Sequence, residues 1–85
     1  MGKVTIYTRG FCPYCTRAIA LLQKKGVEVL EIDATGCPQK RQEMIQRTGR
    51  WTFPQIFVGE QHVGGCDDLH ALEQRGALDA LLRGV

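Results

Sequence analysis

Between Lys3 and Asp33 the hydrophobic pattern changes period twice, and this restricts the fold more than any other feature of the chain. Lys3 to Thr8 (Lys-Val-Thr-Ile-Tyr-Thr) is rich in β-branched and aromatic residues and ends at an Arg9-Gly10 turn, which reads as a strand. From Pro13 the apolar positions become Cys15, Ala18, Ile19 and Leu22, the i, i+3, i+4, i+7 stripe of a helix that opens at Cys12 and is capped by Gly26. Val27 to Asp33 returns to β-branched strand character. Strand, helix and strand within about 30 residues make a βαβ unit, whose two strands run parallel.

The remainder continues in short elements. Pro38 is a good first helical residue, and Arg41, Met44, Ile45 and Thr48 share one helical face before Gly49. Gln55–Val58 and Gln61–Gly64, joined by Gly59-Glu60, read as a hairpin. Asp67 and Asp68 suit the start of a last helix, which the spacing of Leu78, Leu81, Leu82 and Val85 extends to the C-terminus. The order β-α-β-α-β-β-α predicts an α/β three-layer sandwich, a four-stranded mixed sheet with helices on both faces.

With 85 residues and no linker or repeat, residues 1–85 are expected to form a single domain. Hydrophobic residues (44%) outweigh charged ones (24%), which excludes a disordered chain. Eleven Lys plus Arg against nine Asp plus Glu leave +2, too little for a protein that neutralises many phosphates, so nucleic acid is not an expected partner. No apolar run reaches membrane-spanning length and no signal-peptide core precedes Val4. A soluble, cytoplasmic protein without a membrane partner is the expectation. In that setting four cysteines point to thiol chemistry or a metal, not to stapling disulfides.

Cys12-Pro13-Tyr14-Cys15 lies where the first strand gives way to the first helix. As N-cap, Cys12 can accept hydrogen bonds from the Tyr14 and Cys15 amides, and the helix dipole favours its thiolate. A thiol so placed is expected to have a lowered pKa and to act as the nucleophile. Cys15, one turn further on the apolar stripe, is desolvated and expected to resolve intermediates instead of attacking first. Pro13 needs no amide partner at the first helical position and holds the cysteines within disulfide reach. Half of a zinc site is the competing use of such a pair, but zinc needs about four ligands, and Cys37, His62, Cys66 and His70 supply no second paired knuckle. No metal site is expected. Cys37 precedes Pro38 as Cys12 precedes Pro13, so it too is a candidate helix cap with a lowered pKa.

Three segments in order, Tyr-Thr-Arg before Cys-Pro-Tyr-Cys, then Gly-Arg-Trp-Thr-Phe-Pro-Gln-Ile-Phe, then Gly-Gly-Cys-Asp-Asp-Leu, make the chain resemble a glutaredoxin of the short bacterial dithiol type over nearly its whole length. The resemblance implies the thioredoxin fold and a glutathione-dependent thiol–disulfide oxidoreductase. It implies glutathione as co-substrate with no tightly bound cofactor, and disulfide-containing or glutathionylated proteins as substrates of a monomer. Carried over residue by residue, Pro54 takes the place of a cis proline, and the Phe53 backbone pairs with the cysteinyl backbone of glutathione. Gly65 permits close approach ahead of the last helix, where the Cys66 and Asp67 amides meet the γ-glutamyl carboxylate and the Asp67 side chain meets its amino group. Arg9 and Arg41 match contacts to the glycine carboxylate, Tyr14 flanks the glutathione sulfur, and Thr52 lines the groove. Trp51 and Phe53 depart from smaller or aliphatic residues in relatives, and either packing or a reshaped substrate rim accounts for them.

Two other readings are kept. One is a thioredoxin-like electron carrier recharged by a reductase, against which the Gly-Gly-Cys-Asp-Asp segment argues. The other is an iron–sulfur-binding glutaredoxin that shares a cluster between protomers, for which proline after Cys12 is unfavourable in the family.

Overall fold

In the computed structural model, which describes residues 3–84, the chain forms a four-stranded sheet with helices on both faces. Strands β1 (Lys3–Thr8), β2 (Glu28–Asp33), β3 (Gln55–Val58) and β4 (Gln61–Gly64) lie in the order β2-β1-β3-β4. β1 pairs parallel with β2, Lys3 opposite Glu28 and Thr8 opposite Asp33, and antiparallel with β3, Val4 opposite Val58 and Tyr7 opposite Gln55. The β3–β4 hairpin completes the mixed sheet. Helices α1 (Pro13–Lys24) and α2 (Pro38–Thr48) have the boundaries that their prolines and following glycines announce, with Gly49 left-handed at φ 71°. Val27 precedes β2 instead of opening it, yet it is buried.

The alternation of β1 and β3 divides the core into two layers. Val4, Ile6, Ile56 and Val58 face Ala18 and Leu22 of α1 together with Leu69, Leu78 and Leu82. Tyr7 and Phe57 face the opposite way and meet Met44 of α2. Complete burial of Leu22 or Ile56 contributes about 1.5–3 kcal/mol each. Tyr7 also has a polar anchor: its phenol donates to the Glu43 carboxylate, while Arg47 donates to the phenol oxygen at 2.7 Å and lies 4.0 Å from the Phe57 ring centroid. These contacts pin α2 to the sheet.

One expectation fails. The last helix is not continuous but consists of α3 (Cys66–Gln74) and α4 (Leu78–Arg83). Gly76 adopts φ 73°, and the Ala77 amide turns back to donate to the Leu72 carbonyl at 2.9 Å. The break returns Leu78 and Leu82 to the core, which a straight extension of α3 would not do. Val85, placed on that last stripe by the sequence pattern, lies outside the described residues.

Candidate active site

Phe11, at φ 53° and fully exposed, turns the chain from β1 into α1. Two hydrogen bonds hold the turn against the β2–α2 connection, Gly10 N–H to Thr35 Oγ1 at 2.6 Å and Ala34 N–H to the Thr8 carbonyl at 2.8 Å. Cys12 then caps α1 from extended backbone, its Sγ accepting the Cys15 amide at 3.2 Å. The Tyr14 amide, the second donor expected, takes no part: the N-cap sulfur bonds the third helical residue and not the second.

Cys12 and Cys15 are both reduced, 6% and 4% exposed. Burial, then the neighbouring Cys12 sulfur, pushes the Cys15 thiol up to about 12 against the pull of the Arg9 backbone and charge. Cys15 therefore stays protonated over the physiological range. Cys12 stands at the helix mouth and Cys15 on the buried stripe of α1 with Ala18 and Leu22, but the two thiols are buried to nearly the same extent.

Two loops build a groove of about 220 Å³ beside this helix end. One carries Thr52, Phe53 and Pro54, with the Phe53–Pro54 bond cis, and the other carries Gly65, Cys66 and Asp67. Tyr14, half exposed, closes the wall nearest the cysteines. Gly64 makes the second loop possible: at φ 123° it has a conformation foreign to L side chains, and a Cβ there would collide with the Asp68 carboxylate. Seven of the residues named from sequence thus share one groove.

The two arginines lie elsewhere. Arg9 lines a neighbouring cavity of about 440 Å³ together with Cys12 and Cys15, its guanidinium turned to the Gly10 carbonyl. Arg41 stacks over the Phe53 ring at 5.5 Å and lines a third cavity beside Cys37. Cys37 caps α2 with its backbone only; its sulfur accepts no amide hydrogen bond and faces Gln39 Oε1 at 3.7 Å. The cap expected of that thiol is therefore not made. Burial, first among the causes, raises the Cys66 thiol. Trp51 and Phe53 part company: Trp51 is 75% exposed, whereas Phe53 packs against the Tyr7, Met44 and Phe57 cluster.

The sequence reading set Asp68 at the start of the last helix but missed its clasp with Gly65 and missed Arg50 altogether. Asp68 Oδ2 accepts the Gly65 amide at 2.9 Å and Arg50 NH1 at 3.1 Å, clasping one groove loop to the other. The Gly65 N–H, followed by Arg50, holds the Asp68 carboxyl below its ordinary value. An aspartate three residues after the N-cap is the signal that could have revealed the cap; the arginine partner has no local signal.

A reduced Cys-x-x-Cys pair at a helix N-terminus, beside a cis proline loop on a four-stranded sheet, defines a thiol–disulfide oxidoreductase of thioredoxin fold. The glutaredoxin family model matches residues 4–63. Glutaredoxin 3 of Escherichia coli (strain K12) is 58% identical over 83 residues, covering 98% of this chain and 100% of that protein. The solution structure of glutaredoxin from Brucella melitensis superposes with a TM-score of 0.84 at 63% identity, covering 96% of this chain and 89% of that one. A crystal structure of a buckwheat glutaredoxin–glutathione complex superposes with a TM-score of 0.88 at 25% identity, covering 98% and 78%. The chain belongs to the glutaredoxin family. Among the described residues no helix is long and apolar enough to cross a membrane.

Proposed function

We propose that the protein, a glutathione-dependent thiol–disulfide oxidoreductase, works through Cys12 as nucleophile and Cys15 as resolving thiol, with glutathione seated in the groove between Thr52–Pro54 and Gly65–Asp67. The observation that carries this reading is the Cys15 N–H···Sγ bond, which sets the Cys12 sulfur at the mouth of α1, the helix whose Tyr14 lines that groove. The Cys12 thiolate attacks a glutathionylated protein at the glutathione sulfur. The new bond is Cys12–S–S–glutathione, and the old one releases the protein thiolate. A second glutathione thiolate attacks that mixed disulfide, yielding oxidised glutathione and regenerating the Cys12 thiolate. With a protein disulfide, Cys12 forms a mixed disulfide to the substrate instead. The Cys15 sulfur then attacks Cys12, its proton passing to the departing substrate thiolate, so that Cys12–Cys15 forms as the mixed disulfide breaks, and two glutathiones reduce the pair to two thiols, leaving as oxidised glutathione.

In the groove the Phe53 N–H and C=O pair with the cysteinyl backbone of glutathione like an added strand. The Cys66 and Asp67 amides at the start of α3 receive the γ-glutamyl carboxylate, and the Asp67 carboxylate receives the amino group. Arg41, over the Phe53 ring, and Arg9, in the cavity that Cys12 and Cys15 also line, are the two side chains that receive the glycine carboxylate in this reading. Pro54 and Gly65 shape the floor, and Tyr14 covers the sulfur. Residues 1–85 act as one domain, a cytoplasmic monomer whose partners are glutathione and oxidised proteins, with neither nucleic acid nor membrane involved.

Trapping tests the assignment. Cys15→Ser incubated with oxidised glutathione is expected to accumulate one glutathione, mapped to Cys12 by peptide mass. An adduct on any other cysteine, with Cys12 free, would overturn it.

A further inference from the structure

Behind the groove lies a polar pair that the reaction as described does not use. Gln55 is the second residue after Phe53, in β3, and is completely buried. Its Nε2 reaches the Thr52 carbonyl at 3.0 Å and Thr52 Oγ1 at 3.2 Å, while its Oε1 lies 2.7 Å from His62 Nε2 on β4.

The chemistry of these groups leaves one arrangement. A backbone carbonyl only accepts, so the amide nitrogen of Gln55 must face Thr52, and the amide oxygen must face His62. That oxygen also only accepts, so His62 carries its proton on Nε2. Burial, first among the causes, lowers the His62 pKa, and the bond to the Gln55 oxygen selects the Nε2–H tautomer. The Thr52 hydroxyl, with one lone pair occupied by Gln55 Nε2, cannot donate back to a group that is itself a donor. Its hydrogen has no other acceptor among the described residues, and Thr52 lines the groove.

We propose that Gln55 and His62 are positioning residues that hold the Thr52 hydroxyl as a hydrogen-bond donor into the groove, aimed at a carboxylate or carbonyl oxygen of bound glutathione. The inference rests on the seating of glutathione in that groove. His62 sets the orientation of the Gln55 amide, Gln55 sets the direction of the hydroxyl, and the hydroxyl selects an oxygen acceptor. The hydrophobic setting secures the first step, since the His62 ring packs tilted against Phe57 at 5.1 Å between centroids. A ligand without an oxygen acceptor at that place gains nothing from the arrangement.

The test is a double-mutant cycle read in steady-state kinetics with a glutathionylated peptide. Thr52→Val is expected to raise KM about tenfold with kcat unchanged, the size of one lost hydrogen bond to substrate, and Thr52→Ser to restore it. Gln55→Glu is isosteric but offers an acceptor where Gln55 offers a donor, so the Thr52 hydroxyl turns back onto it. Its expected KM matches that of Thr52→Val, and adding Thr52→Val to it costs nothing further. A merely structural Gln55 would instead give losses that multiply, or a change in kcat, and either result overturns the proposal. If Gln55→Glu does not fold, His62→Phe carries the cycle, because it keeps a ring against Phe57 and removes the donor that orients the amide. Asp67→Ala separates the two levels: a raised KM there with unchanged KM in Thr52→Val rejects the hydroxyl role alone, whereas unchanged KM in both rejects the seating of glutathione in this groove.

Discussion

Removing the Asp68 side chain unties the two walls of the groove, and the structure assigns separate sizes to its two bonds. Its carboxylate accepts the Gly65 amide as an N-terminal cap of α3, and pairs with Arg50 while both side chains are about half exposed. A cap of this kind contributes about 0.5–2 kcal/mol. An ion pair so exposed contributes only about 0–1 kcal/mol. A central loss of about 1.5 kcal/mol in a domain of this size lowers Tm by roughly 6–12 °C. Asp68→Ala should show that shift in thermal unfolding followed by circular dichroism at neutral pH, and Arg50→Gln should show about a third of it. The folded pKa of Asp68 lies below its ordinary 3.8, so its stabilisation is present above that value and fades as pH falls through the lower folded value. Wild type and Asp68→Ala therefore converge in acid, and salt closes only the Arg50 part of the gap. If Arg50→Gln cost as much as Asp68→Ala, or if the Asp68→Ala gap were independent of pH, the cap would not be the dominant bond.

Further predictions follow from neighbouring groups. Asp67→Ala should cost about tenfold to a hundredfold in kcat/KM for glutathione-dependent turnover with Tm nearly unchanged, because it removes a charge-assisted partner of the amino group; equal kinetics would argue against it. The reduced protein should lose stability as pH rises from 9.0 toward about 12, since the folded state holds the Cys15 proton that the unfolded chain releases first. Cys15→Ser should have a flatter alkaline limb in denaturant titrations, by at most about 4 kcal/mol, and parallel limbs would contradict the burial argument. Met44→Ala, which empties the layer under Tyr7 and Phe57, should cost about 2–5 kcal/mol in the same titrations.

What the sequence revealed is what local pattern can encode. The Gln55–Val58 and Gln61–Gly64 strands were readable because Gly59-Glu60 separates two short runs, and the start of α1 because proline follows a residue able to cap. The break at Gly76 carried the same glycine signal as Gly26 and Gly49, but the helical spacing of Leu78, Leu81, Leu82 and Val85 beyond it was joined to the helix that begins at Asp67 and Asp68. Side-chain pairing was another matter. Asp68 with Arg50 and Gln55 with His62 depend on loop closure and on the hairpin's register, which no window of sequence contains. The groove's backbone contributors were visible in their motifs, whereas the separation of Arg9, in the turn before α1, from Arg41, on α2, is a matter of tertiary packing. Trp51 and Phe53 differ in burial because only Phe53 adjoins the Tyr7 layer.

The division of labour between the two cysteines is tested most directly by a glutathione-coupled reductase assay on wild type, Cys12→Ser and Cys15→Ser, each with a glutathionylated peptide and with a protein disulfide as substrate. Cys12→Ser should turn over neither substrate, and Cys15→Ser should keep the glutathione mixed-disulfide activity while losing reduction of the protein disulfide. Turnover by Cys12→Ser, or equal loss of both activities in a folded Cys15→Ser, would contradict the assignment of Cys12 as the attacking sulfur and Cys15 as the resolving one.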